Sequence, residues 1–195
     1  ANPLIHVHPD PDELGRVYTP EIALACNSFH FLESALDQSV SVDRDLSSLR
    51  KNYYSWREPY ETPGSVKMEQ IVLQLNEVLA EDAIVANGAG NYAAWLHRYF
   101  QYKSFKTQLA PTSGSMGYGI PAAISAKLER PNTEVVCLAG DGCAQMSIQE
   151  FGTAVQYKAN IIIIISNNGV YGTIKMHQER TYPGRTSGTN MLNPD

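Results

Sequence analysis

Apolar residues in this chain fall into two alternating patterns: short unbroken runs, and longer stretches in which they recur every three or four positions. The clearest run is Ile161 to Ile165, five isoleucines followed by Ser166-Asn167-Asn168-Gly169. β-Branched side chains favour strands, and a run without alternation is what a strand covered on both faces requires. The segment therefore predicts a central strand of a parallel sheet. Two further runs predict strands, Ala83 to Asn87 and Glu134 to Ala139, the latter ending in Gly140-Asp141-Gly142. Between them the period changes to that of a helix. Ile71, Val72, Leu75, Val78 and Leu79 mark one helix after Ser65 as N-cap, and Tyr92, Trp95, Leu96, Tyr99 and Phe100 form the apolar face of another. A Gly/Ser loop at Thr112 to Ser115 leads to a small-residue helix over about Tyr118 to Leu128, with Pro121 in its first turn. Ser147 and Glu150 have the spacing of a capping box for a helix that would bury Ile148, Phe151 and Val155. Strands alternating with helices predict an α/β fold with a doubly wound parallel sheet.

The amino-terminal region is different in texture. A short strand is expected at Leu4 to Val7, then a Pro/Asp turn and a helix around Ser28 to Leu36 that carries Phe29, Leu32 and Leu36 at helical spacing. Residues 38–64 are polar and tyrosine-bearing, with Pro59 and Pro63 near the end, as expected of a linker holding at most one short helix. The organisation expected is thus a tail of a preceding domain at 1–37, a linker at 38–64 and an α/β domain at 65–195. The chain starts at Ala1-Asn2-Pro3 and stops at Asn193-Pro194-Asp195, and reads as a fragment of a longer protein, incomplete at its carboxyl end.

Composition narrows the functional classes. With 15 basic and 20 acidic residues among 195, the net charge of −5 offers no basic patch for phosphate neutralisation, which argues against nucleic acid as a partner. Cys26, Cys137 and Cys143 form no Cys-x-x-Cys pair and read as reduced thiols of a cytoplasmic protein, not as a disulfide frame or a zinc site. No apolar run reaches the length of a membrane span, and the amino terminus lacks the pattern of a signal peptide.

The chemistry is expected where the strands end, because open α/β sheets bind ligands in the crevice at the carboxyl ends of their strands. If the strands at Glu134–Ala139 and Ile161–Ile165 are neighbours in a right-handed βαβ unit, Gly140-Asp141-Gly142 and Asn167-Asn168-Gly169 lie at one edge. The interval of 27 residues between Asp141 and Asn168 accommodates one helix and one strand. A carboxylate and an amide oxygen together suit a small hard cation such as Mg²⁺, which is commonly shared with substrate phosphates. Gly140 and Gly142 allow close approach of the backbone, and the amides of Gly142, Cys143 and Ala144 precede a helix, where an anion is stabilised. Either turn alone is a common structural device; the pair at this spacing points to a metal and a diphosphate.

"GDG" at Gly140 to Gly142 followed by "NN" at Asn167-Asn168 resembles the thiamin-diphosphate signature, and the surroundings resemble the diphosphate-binding domain of the acetolactate synthase-like family. "SGSMGYGIPAAISA", "GTIKMHQERTY" and "PLIHVHPDPDELGRVY" are similar to further segments of that family, so the resemblance covers nearly the whole chain. It implies that Asp141, the Asn168 side chain and the Val170 carbonyl hold Mg²⁺. It further implies cofactor contacts from Gly88, Ala89, Gly90, Asn91, Gly114, Gly140, Gly142, Cys143, Tyr171 and Gly172, with Met116 beneath the thiazolium ring. The implied activity is carboligation or decarboxylation of a 2-oxo acid in a homodimer or homotetramer. It leaves room for FAD in the intact enzyme. No catalytic residue is expected within these residues, because the family's glutamate lies in a pyrimidine-binding domain that they do not include. His177 stands where acetolactate synthases proper look to carry tryptophan, which places it near the substrate and bears on acceptor specificity.

Two rival readings start from other features. Gly88-Ala89-Gly90-Asn91-Tyr92-Ala93 satisfies the dinucleotide-binding fingerprint, but no Asp or Glu between Ala94 and Leu128 is there to hold a ribose. A catalytically silent interaction domain is the second rival, and the intact Asp141/Asn168 pair argues against it. His6 and His8 share a strand face; packed or exposed histidines are a better reading than metal ligands. Cys143 reads as a small residue supporting its turn, and Trp95 and Tyr99 as core or interface.

Overall fold

The computed structural model describes residues 3–38 and 45–194, so the expected linker at 38–64 lies in part outside the described residues. The chain divides into two compact units, Ala1–Leu49 and Arg50–Asp195, and the division falls inside that stretch.

The smaller unit pairs strand β1 (Ile5–His8) in parallel with β2 (Ile22–Ala25), a strand that the sequence pattern did not announce. Helix α1 (Ser28–Leu36) follows, with the Asn27 side chain accepting the N–H of Phe29 at 2.8 Å as its N-cap. Its expected apolar residues Phe29, Leu32 and Leu36 are exposed. His6 and His8 each engage Nδ1 in the turn after β1, accepting from the backbone N–H groups of Gly15 and Asp10. Both histidines therefore support a turn.

The larger unit contains the tail of α2 (Ser47–Arg57), then α3 (Met68–Val78), β3 (Ile84–Asn87), α4 (Ala93–Tyr99), β4 (Gln108–Leu109), α5 (Gly119–Glu129), β5 (Val135–Gly140), α6 (Asp141–Gln145), α7 (Glu150–Gln156), β6 (Ile162–Ser166) and α8 (Gly172–Thr181). The four strands form one parallel sheet in the order β4-β3-β5-β6. Successive residues of a strand point to opposite faces, and the two faces here have separate cores. Ile84, Ala86, Val135, Cys137 and Ala139 pack with Ile120, Ala123 and Ile124 of α5. Val85, Val136 and Leu138 pack with Val72 of α3 and Leu96 and Tyr99 of α4. Trp95 stacks on Tyr99 with ring centroids 6.2 Å apart, so this aromatic pair belongs to the core of α4. Helices on both faces of a parallel sheet make the unit doubly wound, as the alternation of patterns predicts.

Four expectations are corrected. β6 is an edge strand, not a central one: it pairs only with β5 among the described residues, and Ile162 is 57% and Ile165 43% exposed. Ile161, Ile163 and Ile164 face the cores, so the run is packed on β5 without being covered throughout. The Ser147–Glu150 capping box does not form. Gln149 occupies the N-cap of α7, the Glu150 carboxylate accepts from Thr153 at 2.7 Å, and the Ser147 hydroxyl is buried without a partner. The same helix turns Ala154 toward α5 and leaves Ile148, Phe151 and Val155 exposed, since a small residue permits closer approach than the larger ones. Finally, Lys67 and not Ser65 precedes α3, because the chain ahead of the helix is held by Glu69, whose buried carboxylate accepts from the N–H and hydroxyl of Thr62.

Candidate functional site

β5 and β6 are neighbours in register, with Ala139 opposite Ile165 and Gly140 opposite Ser166, so both strands deliver their following turns to one edge of the sheet. Asp141 opens the five-residue helix α6 directly after β5, and is 6% exposed. Its Oδ2 accepts the backbone N–H of Gly169 at 2.9 Å, joining the two turns. Gly169 has φ +64°, a conformation that glycine adopts without strain, and it lets the chain reverse after Asn168. The Asn168 Oδ1 accepts the N–H of Val170 at 3.1 Å. The third side of the site comes from the turn after β3. There the Cys143 thiol donates to the carbonyl of Ala89 at 2.9 Å, tying Gly140-Asp141-Gly142-Cys143 to Gly88-Ala89-Gly90-Asn91. Asn91 in turn accepts the Thr173 hydroxyl at 2.9 Å, reaching α8.

These turns enclose a cleft. Ala89, Gly90, Asn91, Met116, Gly140, Asp141, Gly142, Cys143, Asn168, Val170, Tyr171 and Gly172 line it, together with Tyr92, Ser166, Thr173 and Ile174, for which the sequence implies no contact with the cofactor. Of the other expected residues, Gly88 lies just behind the lining, against Cys143 and Tyr92. Gly114 sits in an exposed turn at φ +69°, and His177 is exposed on α8, where its Nδ1 meets the Arg180 guanidinium at 2.9 Å; neither lines the cleft.

The glycines have a structural reason to be glycine. A Cβ on Gly142 would stand 2.9 Å from the Tyr171 ring and 3.3 Å from the Met116 methyl, so these side chains close on bare backbone. A Cβ on Gly140 would stand 2.8 Å and one on Gly90 2.9 Å from the Tyr92 ring, and one on Gly88 would stand 2.8 Å from its hydroxyl. Tyr92, expected on the apolar face of α4, is thus seated in a slot of three glycines beside the cleft. Burial, and then the neighbouring Cys143 thiol, push its phenol well above the ordinary range. Burial likewise pushes the Cys137 thiol, behind the cleft, up to about 12. Both groups are neutral under ordinary conditions and give the cleft no charge.

Among the described residues, no three His, Cys, Asp or Glu side chains converge as a self-sufficient metal site. The donor set is one carboxylate, one amide and backbone carbonyls. That set suits Mg²⁺ completed by phosphate oxygens better than a closed protein cage. The bare backbone of Gly142, at the start of α6 where N–H groups have no intrahelical partner, suits an anion.

A parallel, doubly wound sheet with paired acid and amide turns at its strand ends defines a nucleotide- or diphosphate-binding α/β domain. The comparisons make the class specific. Residues 88–195, more than half of the chain, match the family model described as "Thiamine pyrophosphate enzyme, C-terminal TPP binding domain", and the chain belongs to this family. It is 32% identical over 197 residues to the acetolactate synthase large subunit of Porphyra purpurea, covering 96% of this chain and 33% of that protein. It is 28% identical to the acetolactate synthase isozyme 3 large subunit of Escherichia coli K12, covering 96% and 35%. A thiamine diphosphate-dependent 4-hydroxybenzoylformate decarboxylase of Rhodococcus jostii RHA1 shares its fold with a TM-score of 0.76 and 27% identity, covering 99% of this chain and 36% of that one. The chain spans about a third of the length of the curated relatives it matches.

Proposed function

We propose that this chain supplies the diphosphate- and metal-binding half of the active site in a thiamin-diphosphate- and Mg²⁺-dependent enzyme of the acetolactate synthase type, acting on a 2-oxo acid. The observation that carries the proposal is the meeting of Asp141 and the Asn168 turn across the β5–β6 edge, joined through the Gly169 N–H at 2.9 Å. When bound, the cofactor supplies an electron sink for cleavage or formation of a bond next to a carbonyl. The chain's own residues bind and orient it. Asp141, Asn168 Oδ1 and the Val170 carbonyl would hold Mg²⁺; the backbone of Gly142 and Cys143 and the turn from Gly88 to Asn91 would hold the diphosphate. Met116 and Tyr171, which close over Gly142, are apolar and aromatic surfaces that would exclude water from the bound ring. His177, on the exposed face of α8, is proposed to act on acceptor choice.

Whole-length assembly as a homodimer or homotetramer, FAD and a cytoplasmic location belong to the same proposal and rest on the resemblance. No helix among the described residues is long and apolar enough to cross a membrane. The alternative within the class is another 2-oxo acid decarboxylase or lyase, with which the likeness to the solved decarboxylase is compatible.

The test is a calorimetric titration of thiamin diphosphate into the full-length enzyme with Mg²⁺ and with excess chelator. Binding only in Mg²⁺ is expected. Equal affinity in both conditions contradicts the assignment of the acid and amide turns to a metal.

A further inference from the structure

The segment Gly169–Tyr171 pairs antiparallel with Thr189–Met191: the Tyr171 N–H donates to the Thr189 carbonyl at 2.8 Å and the Met191 N–H to the Gly169 carbonyl at 2.7 Å. Two residues later Asn193 arrives over the strand ends. Its Nδ2 donates to Asp141 Oδ2 and to Asn167 Oδ1, each at 2.7 Å, and its Oδ1 accepts from Gln145 Nε2. Asp141 Oδ2 thereby has two N–H donors, from Gly169 and Asn193, and its lone pairs are filled. Oδ1 has no hydrogen-bond partner among the described residues, and Asp141 lines the cleft.

We propose that Asn193 is a positioning residue that makes Asp141 a one-oxygen ligand: by occupying Oδ2 it fixes the carboxylate and offers only Oδ1 to a cation. The inference rests on the metal reading above. Its chemical consequence is selectivity. Mg²⁺ takes six ligands at short, near-ideal octahedral geometry, which a single carboxylate oxygen suits, whereas Ca²⁺ takes six to eight and readily accepts both oxygens of one carboxylate. Releasing Oδ2 should therefore favour the larger ion. A residue that merely braced the turn would weaken both ions alike.

The test compares thiamin diphosphate binding to the full-length enzyme, by calorimetry, in Mg²⁺ and in Ca²⁺. With Asn193→Leu, of similar size but without the amide, the ratio of Ca²⁺- to Mg²⁺-supported affinity is expected to rise about ten-fold, the usual scale for loss of a group that orients a metal ligand. Asn193→His, which restores an N–H donor, should return the ratio toward wild type. Gln145→Leu, at an exposed position outside the cleft lining, should shift the ratio in the same direction by less and carries the test if Asn193→Leu does not fold. An unchanged ratio in the variants, with wild type binding the cofactor through a metal, overturns this inference alone. Metal-independent binding by wild type overturns the proposed function and this inference with it.

Discussion

Asp141 Oδ2 accepts the N–H of Gly169 at 2.9 Å, so one carboxylate oxygen closes the β5–β6 edge while the other, Oδ1, has no hydrogen-bond partner among the described residues. The two roles separate by substitution. Asp141→Asn keeps an acceptor for Gly169 and should unfold near the wild-type midpoint while losing Mg²⁺-supported binding of thiamin diphosphate. Asp141→Ala removes the acceptor shared by Gly169 and Asn193, leaving both on Asn167 Oδ1 alone, and should cost about 1–3 kcal/mol of stability. Urea unfolding and calorimetry of both variants check this; equal stability of the two would deny the carboxylate its structural part.

The seat of Tyr92 gives a second prediction. A methyl group at Gly140 would stand 2.8 Å from the Tyr92 ring, a contact that must be relieved by moving the ring or the strand end. Gly140→Ala should lower stability by about 1–3 kcal/mol, the common cost of overpacking. In a Tyr92→Ala background the same substitution should cost much less, because the ring it strikes is gone. Additive costs in the double-mutant cycle would show that the clash lies elsewhere.

Stability should fall in alkali. Burial raises the Cys137 thiol from its ordinary 9.0 to about 12 and the Tyr102 phenol from 10.0 to about 12, so the folded chain holds these protons more tightly than the unfolded chain. The unfolded state releases its protons first, and each group's stabilising contribution is present below its ordinary value and lost as pH rises toward about 12. Melting temperature measured across that window should decline, and Cys137→Ala should flatten the decline. In native protein an alkylating reagent should label the half-exposed Cys26 well before the buried Cys137.

The open edge of the sheet has a solution consequence. β6 shows Ile162 and Ile165 to solvent, and an apolar edge with no partner strand among the described residues invites pairing with other chains. The 195-residue chain by itself should self-associate as its concentration rises. Ile162→Lys should reduce that association without lowering the melting temperature, as light scattering and thermal unfolding would show; unchanged association would place the contact on another face.

Catalysis by these residues alone is not expected, since the resemblance assigns the proton-transferring glutamate to another domain, and losing positioning and proton transfer together removes most rate enhancement. The 195-residue chain supplied with pyruvate, Mg²⁺ and thiamin diphosphate should not exceed the cofactor-only rate. Steady turnover above that control would mean that the catalytic groups are all present here.

The sequence by itself determined three of the sheet's four strands and the meeting of its two turns; the two-residue β4 (Gln108–Leu109) is too short to leave a pattern. Unbroken apolar runs and helical spacing report local dihedral preference and burial, and the 27-residue interval from Asp141 to Asn168 is enough chain for one helix and one neighbouring parallel strand. It did not determine which strand lay at the edge, because a run of isoleucines has the same local preference whether one neighbour or two covers it. It misplaced the caps of α3 and α7, where Glu69 turned to Thr62 and Glu150 to Thr153 in competition with the expected partners. Only the tertiary structure set the Tyr92 ring among three glycines and laid Asn193 on a carboxylate 52 residues away, since such contacts depend on how distant segments are brought together and leave no periodic trace in the chain.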